Sequence, residues 1–444
     1  MKISLLIILI ATKLTSAQIN WFPVSDGANG QVRDIFSDSS GIYFAGDFTQ
    51  IGSVSANHCA KWNGFQWEIF PNNFTQVKSI SVRGNEIFVG ASTDDITGCF
   101  KWNGFKWDTI GVIPDGSIST IAFDDSNLYV AGFFNSISGV DAASVAKWDG
   151  NQWHSMGNDF QFEQIHSLVI YRNQLYAGGT FIRQQKNLWH IGRWQDTSWV
   201  SVNGGTNLPV TSMYASDDTL YLVGHFTLVG NFSGGSGVLA NRVARWDGVN
   251  WSAVGSGLSG VPEDLIVKDS FIYVVGNFSG ANPPFEVIYK WDGLNWNLLA
   301  TASGFFSEIS FYDQENSFYC GGNFSTVSTI GAANNLVMFM DSSVITSIEI
   351  SDNVDNPNDL FLFQNYPNPF NPSTKISWQS PVSSWQTLKV YDVLGNEVAT
   401  LVNEEKPAGV YEINFDGSGL SSGIYFYRLK AGSFVETKKM ILMR

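Results

Sequence analysis

The chain has 444 residues, a formal charge of −15, 14% aromatic residues, 15% charged residues and 43 glycines. Few charges beside many aromatics and glycines exclude disorder and point to a β-rich, turn-rich protein of two or three domains, or one large repeat array plus a smaller module. The tail 361–444 is nearly balanced at +1 and the first 17 residues carry +2, so residues 18–360 stand at −18; so acidic a body repels phosphate backbones and argues against a nucleic-acid partner.

Residues 1–17 read as a secretory signal peptide, with Lys2 as its positive start, Ser4 to Ala11 as a short apolar core, and Thr15, Ser16 and Ala17 as a small-residue cleavage site before Gln18. That core is too short to cross a bilayer. No later segment approaches the roughly 18 apolar residues of a span, so no transmembrane segment is expected. Cys59, Cys99 and Cys320 are too few, and odd in number, for a disulfide framework; they read as small buried hydrophobes.

From Gln18 to about 345 the chain repeats itself. LysTrpAsnGlyPheGlnTrp at 61–67 returns in variant form at 101–107, 147–153, 193–199, 245–251 and 290–296, so the second tryptophans recur every 40 to 52 residues. A second motif, an aromatic followed by small apolar residues and Gly-x-Phe, runs in step at Tyr43–Phe48, Tyr129–Phe134, Tyr176–Phe181, Tyr221–Phe226, Tyr273–Phe278 and Tyr319–Phe324, with Phe88 heading a degraded copy. Each unit reads as four short strands: an inner one near residues such as Ile35, the Tyr/Phe strand, a third ending at the first Trp, and a fourth starting at the second. The Asn-Gly or Asp-Gly between the last two is expected to supply the positive φ values of a tight hairpin. Four-stranded units of about 40–50 residues are propeller blades. The array opens with a lone fourth strand at Trp21 and ends at Val337–Asp341 without one, so Trp21–Val24 is expected to complete the last blade and close the ring. The fold class is therefore all-β, a seven-bladed β-propeller closed by its N-terminal strand, with six blades as the alternative. The units resemble the Gly-Gly-x-Phe…Ala-x-Trp-Asp-Gly-x-x-Trp repeats of large secreted and surface proteins, a kelch-like propeller type, over about residues 20–341.

One polar residue begins each expected inner strand: Asp34, Ser79, Thr120, Ser167, Ser212, Asp264 and Glu308. The last is open, since strict spacing back from Tyr319 selects Ser310. These seven are the candidate ligand-binding ring at the mouth of the central channel; the competing reading is that they bond backbone between blades. Connections from fourth to next inner strand, and from second to third, leave a propeller on one side. They are the long loops here, notably Asn135–Ser144 and Thr227–Asn241, and that side is the expected binding face.

Residues 346–360 form an Asp/Asn-rich linker. Beyond it stand AsnTyrProAsnProPheAsnProSerThr (365–374), LeuLysValTyrAspValLeuGlyAsnGluVal (388–398), ProAlaGlyValTyrGluIle (407–413), LeuSerSerGlyIleTyrPheTyrArgLeu (420–429) and Lys438-Lys439. Residues 361–444 thereby resemble the type A C-terminal sorting domain of the type IX secretion system. The resemblance implies a small β-sandwich, the type IX machinery as partner, and a route across both membranes of a Bacteroidota-like cell to its surface or beyond.

Catalytic patterns are sparse. No carboxylate pair recurs at a marked spacing, the five histidines show no metal-ligand spacing, and no nucleophile elbow or phosphate loop is present. No cofactor is indicated. Calcium at Asp124-Asp125 or Asp217-Asp218 has no motif behind it, and turn chemistry accounts for those residues. The expected function is a non-catalytic exported propeller that binds a protein or glycan. The rivals are an exported hydrolase or lyase acting on polysaccharide, and an architectural surface or matrix protein.

Overall fold

The structure, a computed structural model, describes residues 19–444 apart from 64–65, 217, 231–234, 279–284, 342, 345–360, 363–364, 366–369, 381–382, 394, 408, 433 and 443–444. The signal segment, the linker, Asp217 and the middle of the Thr227–Asn241 loop lie outside the described residues. The chain divides into two compact units, one up to Ser347 and one from Ile348.

Among the described residues the first unit holds seven blade sheets, all antiparallel, six of them four-stranded and the sixth in chain order extended to six strands by the hairpin Thr326–Val327 with Gly331–Ala332. Their inner strands are Val32–Asp38, Gln76–Arg83, Gly116–Phe123, Ile165–Tyr171, Val210–Ser216, Val261–Lys268 and Phe305–Tyr312. Each packs against the inner strands on either side, and the seventh packs against the first, so the sheets stand as blades around one axis. Ser37 fixes that last contact by donating to the Phe311 carbonyl at 2.7 Å, with its Oγ 2.9 Å from Ser310 Oγ. The fourth strand of blade seven is Ile19–Pro23, paired from Ile19 opposite Asp341 to Pro23 opposite Val337, with Trp21 4.6 Å from the Phe339 ring.

Aromatic residues join the blades. Within six blades the two tryptophans sit directly opposite each other across the third and fourth strands, ring centroids 5.0–5.4 Å apart. In four of these six blades the second tryptophan then donates its indole N–H to the blade before it, whereas the indole N–H groups of Trp67 and Trp107 are buried without a partner. Trp153 reaches the Ile110 carbonyl at 2.6 Å, Trp199 reaches Met156 at 2.8 Å, Trp251 reaches Val202 at 3.0 Å and Trp296 reaches Val254 at 3.3 Å. In each case the acceptor lies three residues past the preceding blade's second tryptophan, which is why this residue type recurs at this spacing.

The hairpin between the tryptophans differs from the expected tight turn. Only the glycine has positive φ, 99° at Gly104 and Gly150, 96° at Gly248 and 94° at Gly293. The residue before it caps the loop instead: Asp149 Oδ1 accepts the amides of Asn151 and Gln152, as Asp247 and Asp292 do for their own loops. Four residues separate the tryptophans, and the Asx side chain takes over the work of a second left-handed residue.

The long loops are also more ordered than their length implies. Those of blades one, three, five and seven fold into small hairpins, Gln50–Ile51 with Val54–Ser55, Ser136–Ile137 with Val140–Asp141, Leu228–Val229 with Val238–Leu239, and Thr326–Val327 with Gly331–Ala332. Each buries an apolar residue, Ile51, Ile137, Val229 or Val327. Each also bonds the chain leaving the previous blade, as in Gly52 N–H to Gly27 O at 2.7 Å and Gly230 N–H to Gly205 O at 2.8 Å.

The second unit is a β-sandwich. Strands Phe361–Leu362, Ser373–Ser380 and Gly409–Asp416 form one sheet, and Glu397–Lys406, Ser384–Tyr391, Gly423–Ala431 and Phe434–Leu442 the other. Their alternating inward residues, among them Ile376, Trp378, Leu388, Val390, Tyr427, Leu429 and Met440, form a separate core. Asn365 anchors the entering chain: its amide donates to Tyr427 OH at 2.7 Å and its Nδ2 to Thr374 Oγ1 at 2.9 Å.

Candidate functional site

The seven predicted ring residues occupy one equivalent place, but none begins its strand. Each follows a β-bulge, two to four residues past the start of its strand, with the register shift falling between Val32 and Asp34, Val77 and Ser79, Ile118 and Thr120, Ile165 and Ser167, Val210 and Ser212, Pro262 and Asp264, and Phe306 and Glu308. Glu308 rather than Ser310 is the seventh member, opposite Gly321 as Asp34 is opposite Ala45. The eight-residue spacing fails there because the hairpin from Tyr312 to Ser317 carries two more residues than the one from Asp38 to Gly41.

The bulge explains why these positions are polar. Next to it, at four of the seven junctions, the ring residue accepts a backbone amide of the following blade's inner strand. Asp34 Oδ2 takes the Ile80 N–H at 2.7 Å, Thr120 takes Leu168 at 3.3 Å, Ser167 takes Met213 at 3.1 Å and Asp264 Oδ2 takes Ile309 at 3.0 Å. Ser212 donates to Asp264 Oδ1 at 2.6 Å. Ser79 is fully buried and its hydroxyl has no partner. The ring thus links blades as well as lining the axis.

Three members, on neighbouring blades six, seven and one, interact as charges. Burial pushes the Asp34 carboxyl up to about 7, against the Ile80 amide and with help from Asp264. Burial, then the charges of Asp264 and Asp34, raises Glu308 well above the carboxylate range. Asp264 is raised by burial but held back by Ser212, the Ile309 amide and Glu308. Neighbouring carboxylates disfavour one another's ionisation, and a hydrogen bond between Glu308 and Asp264 adds to the upward shift of Glu308. Among the described residues no three His, Cys, Asp or Glu side chains are arranged to hold a metal ion. Asp124 is occupied as a turn cap, accepting from Ser126, Asn127 and Tyr129 OH.

Sequence reasoning passed over the residue at each bulge, one position before the ring. Thr211 donates to the Pro262 carbonyl at 2.7 Å, Ser307 donates to Val32 at 2.8 Å, and Lys78 reaches Ser117 Oγ at 3.0 Å, all between blades. The signal was available, because these positions keep the ring's own spacing. It also passed over a cleft of about 520 Å³ on the long-loop side, where Asp26, Asn29, Gln50, Ser303, Asn323 and Asn334 surround the junction of blades seven and one. Its residues are scattered in sequence because the N-terminal strand joins the end of the array, so no local motif marks it. The walls are tied down: Asn29 Oδ1 accepts the amides of Thr49 and Gln50, and Asn334 donates to Asp26 O.

Comparison with curated proteins finds no match. Solved structures of similar shape include PorZ, a surface component of the type IX secretion system of Porphyromonas gingivalis, with a TM-score of 0.46 at 14% identity over 95% of this chain and 60% of that one. This chain thus spans less than two thirds of the length of PorZ. Another is the β-propeller domain of the Trilobed protease from Pyrococcus furiosus, with a TM-score of 0.43 at 12% identity over 70% of this chain and 94% of that one. A third is the acylaminoacyl peptidase of Pyrococcus horikoshii, with a TM-score of 0.43 at 10% identity over 80% of this chain and 59% of that one. Residues 364–443 match the family described as the secretion system C-terminal sorting domain. The chain is therefore a β-propeller followed by a type IX C-terminal sorting domain, and is exported to the cell surface or secreted.

Proposed function

We propose that this exported propeller is a non-catalytic binding module that holds a protein or glycan ligand on its long-loop face. The observation that carries the reading is the cleft of about 520 Å³ at the junction of blades seven and one. It lies among connections of the expected kind, fourth strand to next inner strand and second strand to third. Its rim offers amides and hydroxyls, which recognise ligands by direction rather than charge. Asp26 is the one carboxylate in its lining, and a single acid lacks the partner that glycoside hydrolysis uses. The pinned hairpins keep the face shaped in advance, which lowers the ordering cost of binding.

A hydrolase is the second reading, favoured by the neighbouring carboxyls of Glu308 and Asp264, both raised above their ordinary values by burial. One experiment separates the two. The full chain is screened against glycan and protein arrays, and bound polysaccharides are assayed for new reducing ends. Binding without cleavage, weakened about tenfold or more when Gln50, Asn323 and Ser325 are replaced together by Ala, is the expected result. Cleavage abolished by Glu308→Gln would favour the hydrolase. An empty screen, or a triple variant that binds normally, would overturn the binding face.

A further inference from the structure

Between blades three and four the outer rim opens into a cleft of about 320 Å³, bounded by Tyr129, Lys147, His154, Gly157, Trp194 and Asp196. The repeat provides its own control for this place. At the junction of blades one and two Phe70 packs 6.5 Å from the Tyr43 ring and 5.5 Å from Trp102, and Lys61 pairs with Glu68 at 3.3 Å. Here the residue equivalent to Phe70 is Met156, in line with the aliphatic residues of the other blades (Ile110, Val202, Val254 and Leu299), and the partner across from the lysine is a histidine, since Lys147 lies opposite His154. Among the described residues Lys147 makes no hydrogen bond or ion pair through its ammonium group.

Three further residues complete the lining of this place, and one of them, Asp196, departs from the repeat. Blade four lacks the Asp-Gly turn. Asp196 stands where the other blades have glycine and takes a φ of 53°, setting a carboxylate on the rim in a conformation that a side chain resists. His154 Nε2 lies 2.6 Å from Asp149 Oδ2, which fixes the ring at the edge of the cleft. That contact, with the Gln152 and Asn151 amides, holds the Asp149 carboxyl far below the usual range. Gly157 lies over Trp194, where a Cβ would come 3.7 Å from the six-membered ring of the half-buried indole, an arrangement the repeat shows again at Gly255 over Trp291.

A packing device recurs in every blade, whereas a ligand site is local. Here Asp196 and the pairing of Lys147 with His154 are particular to one junction, and they meet Trp194 on one concave surface with an aromatic plate and a few polar groups of both charges. From this juxtaposition we propose that the cleft binds a pyranose ring of a polysaccharide, stacked on Trp194 and held by hydrogen bonds from Lys147 and His154 and to Asp196. A sugar ring presents a C–H face to an indole while its hydroxyls reach outward as donors and acceptors, which is the chemistry these four residues supply. The cleft is formed by third and fourth strands and their turn, on elements separate from the long-loop cleft, so it stands independently of the reading above.

The test is titration of the full chain with cello-, manno- and malto-oligosaccharides and an oligogalacturonate, read by saturation-transfer NMR and calorimetry. At least one is expected to bind, with transfer strongest to the C–H protons of one ring face. Trp194→Ala should weaken binding about tenfold or more. Because Trp194 also packs on Trp199, Asp196→Gly is the second variant. It restores the glycine of the repeat, keeps or raises the melting temperature, and should weaken the same ligand about threefold or more. The Gln50, Asn323 and Ser325 triple variant should bind it normally. If none of these oligosaccharides binds, or both variants bind as the parent chain does, the proposal is wrong. If binding is lost only in the triple variant, the sugar belongs to the other cleft.

Discussion

Glu308 shows how one residue can serve the fold and still leave a functional imprint. It occupies the ring position of blade seven between two acids, Asp264 and Asp34, and burial and their charges push its carboxyl well above the ordinary range. The consequence for stability has a definite sign. Asp34 titrates near 7 in the fold against 3.8 for the free side chain, so the folded chain holds this proton more tightly than the unfolded one. Its favourable contribution is complete at acid pH and is lost as pH rises from about 4 to 7; Glu308, raised well above its ordinary value, extends the loss upward. His190 acts oppositely, since burial lowers it to about 4 and its contribution is lost as pH falls. Comparing Glu308→Gln with the parent chain cancels that histidine. The variant keeps an N–H to offer Asp264 and removes an ionisable group, so its urea midpoint should lie close to the parent's at pH 5 and exceed it at pH 8. Parallel pH profiles for the two proteins would rule out the charge cluster.

The closing strand is where sequence and structure agree most closely, and it yields the test at the scale of elements. Ile19–Pro23 pairs over its full length with Leu336–Asp341 and lays Trp21 on Phe339. Terminal segments usually fray at little cost. This one completes blade seven, and without it the third strand of that blade becomes an open edge. Removing Ile19–Ser25 should therefore lower the melting temperature by roughly 10 °C or more, the scale of losing a packed tryptophan and a strand ladder; an unchanged melt would refute closure by this strand. The blades themselves were legible because Trp, Tyr and Gly-x-Phe recur at strand ends where every blade needs the same packing. Glu308 was half-legible, since its spacing broke on two extra hairpin residues. The hairpins within the long loops were not legible, because strands as short as Gln50–Ile51 have no periodicity to detect. Neither cleft was visible in advance: one unites the two ends of the array, and the other consists of departures that look like ordinary variation until the fold brings them together.

At the scale of the molecule, the two units have separate hydrophobic cores, and the address belongs to the second. The sorting family covers residues 364–443 alone, and the sandwich core from Leu362 to Leu442 takes all its members from the second unit. The acidity is divided too, with −18 on residues 18–360 and +1 on 361–444. Deleting 361–444 should accordingly leave the propeller folded, with an unchanged melting transition, because no member of its own cores lies beyond Val344. What changes is location. The truncated chain should cross the inner membrane and stop in the periplasm, whereas the full chain reaches the surface or the medium. Cell fractionation with a protease-protection assay distinguishes these outcomes. Finding the truncated propeller outside the cell would mean that the body carries an export signal of its own, and finding it unfolded in the periplasm would mean that the sandwich supports the blades.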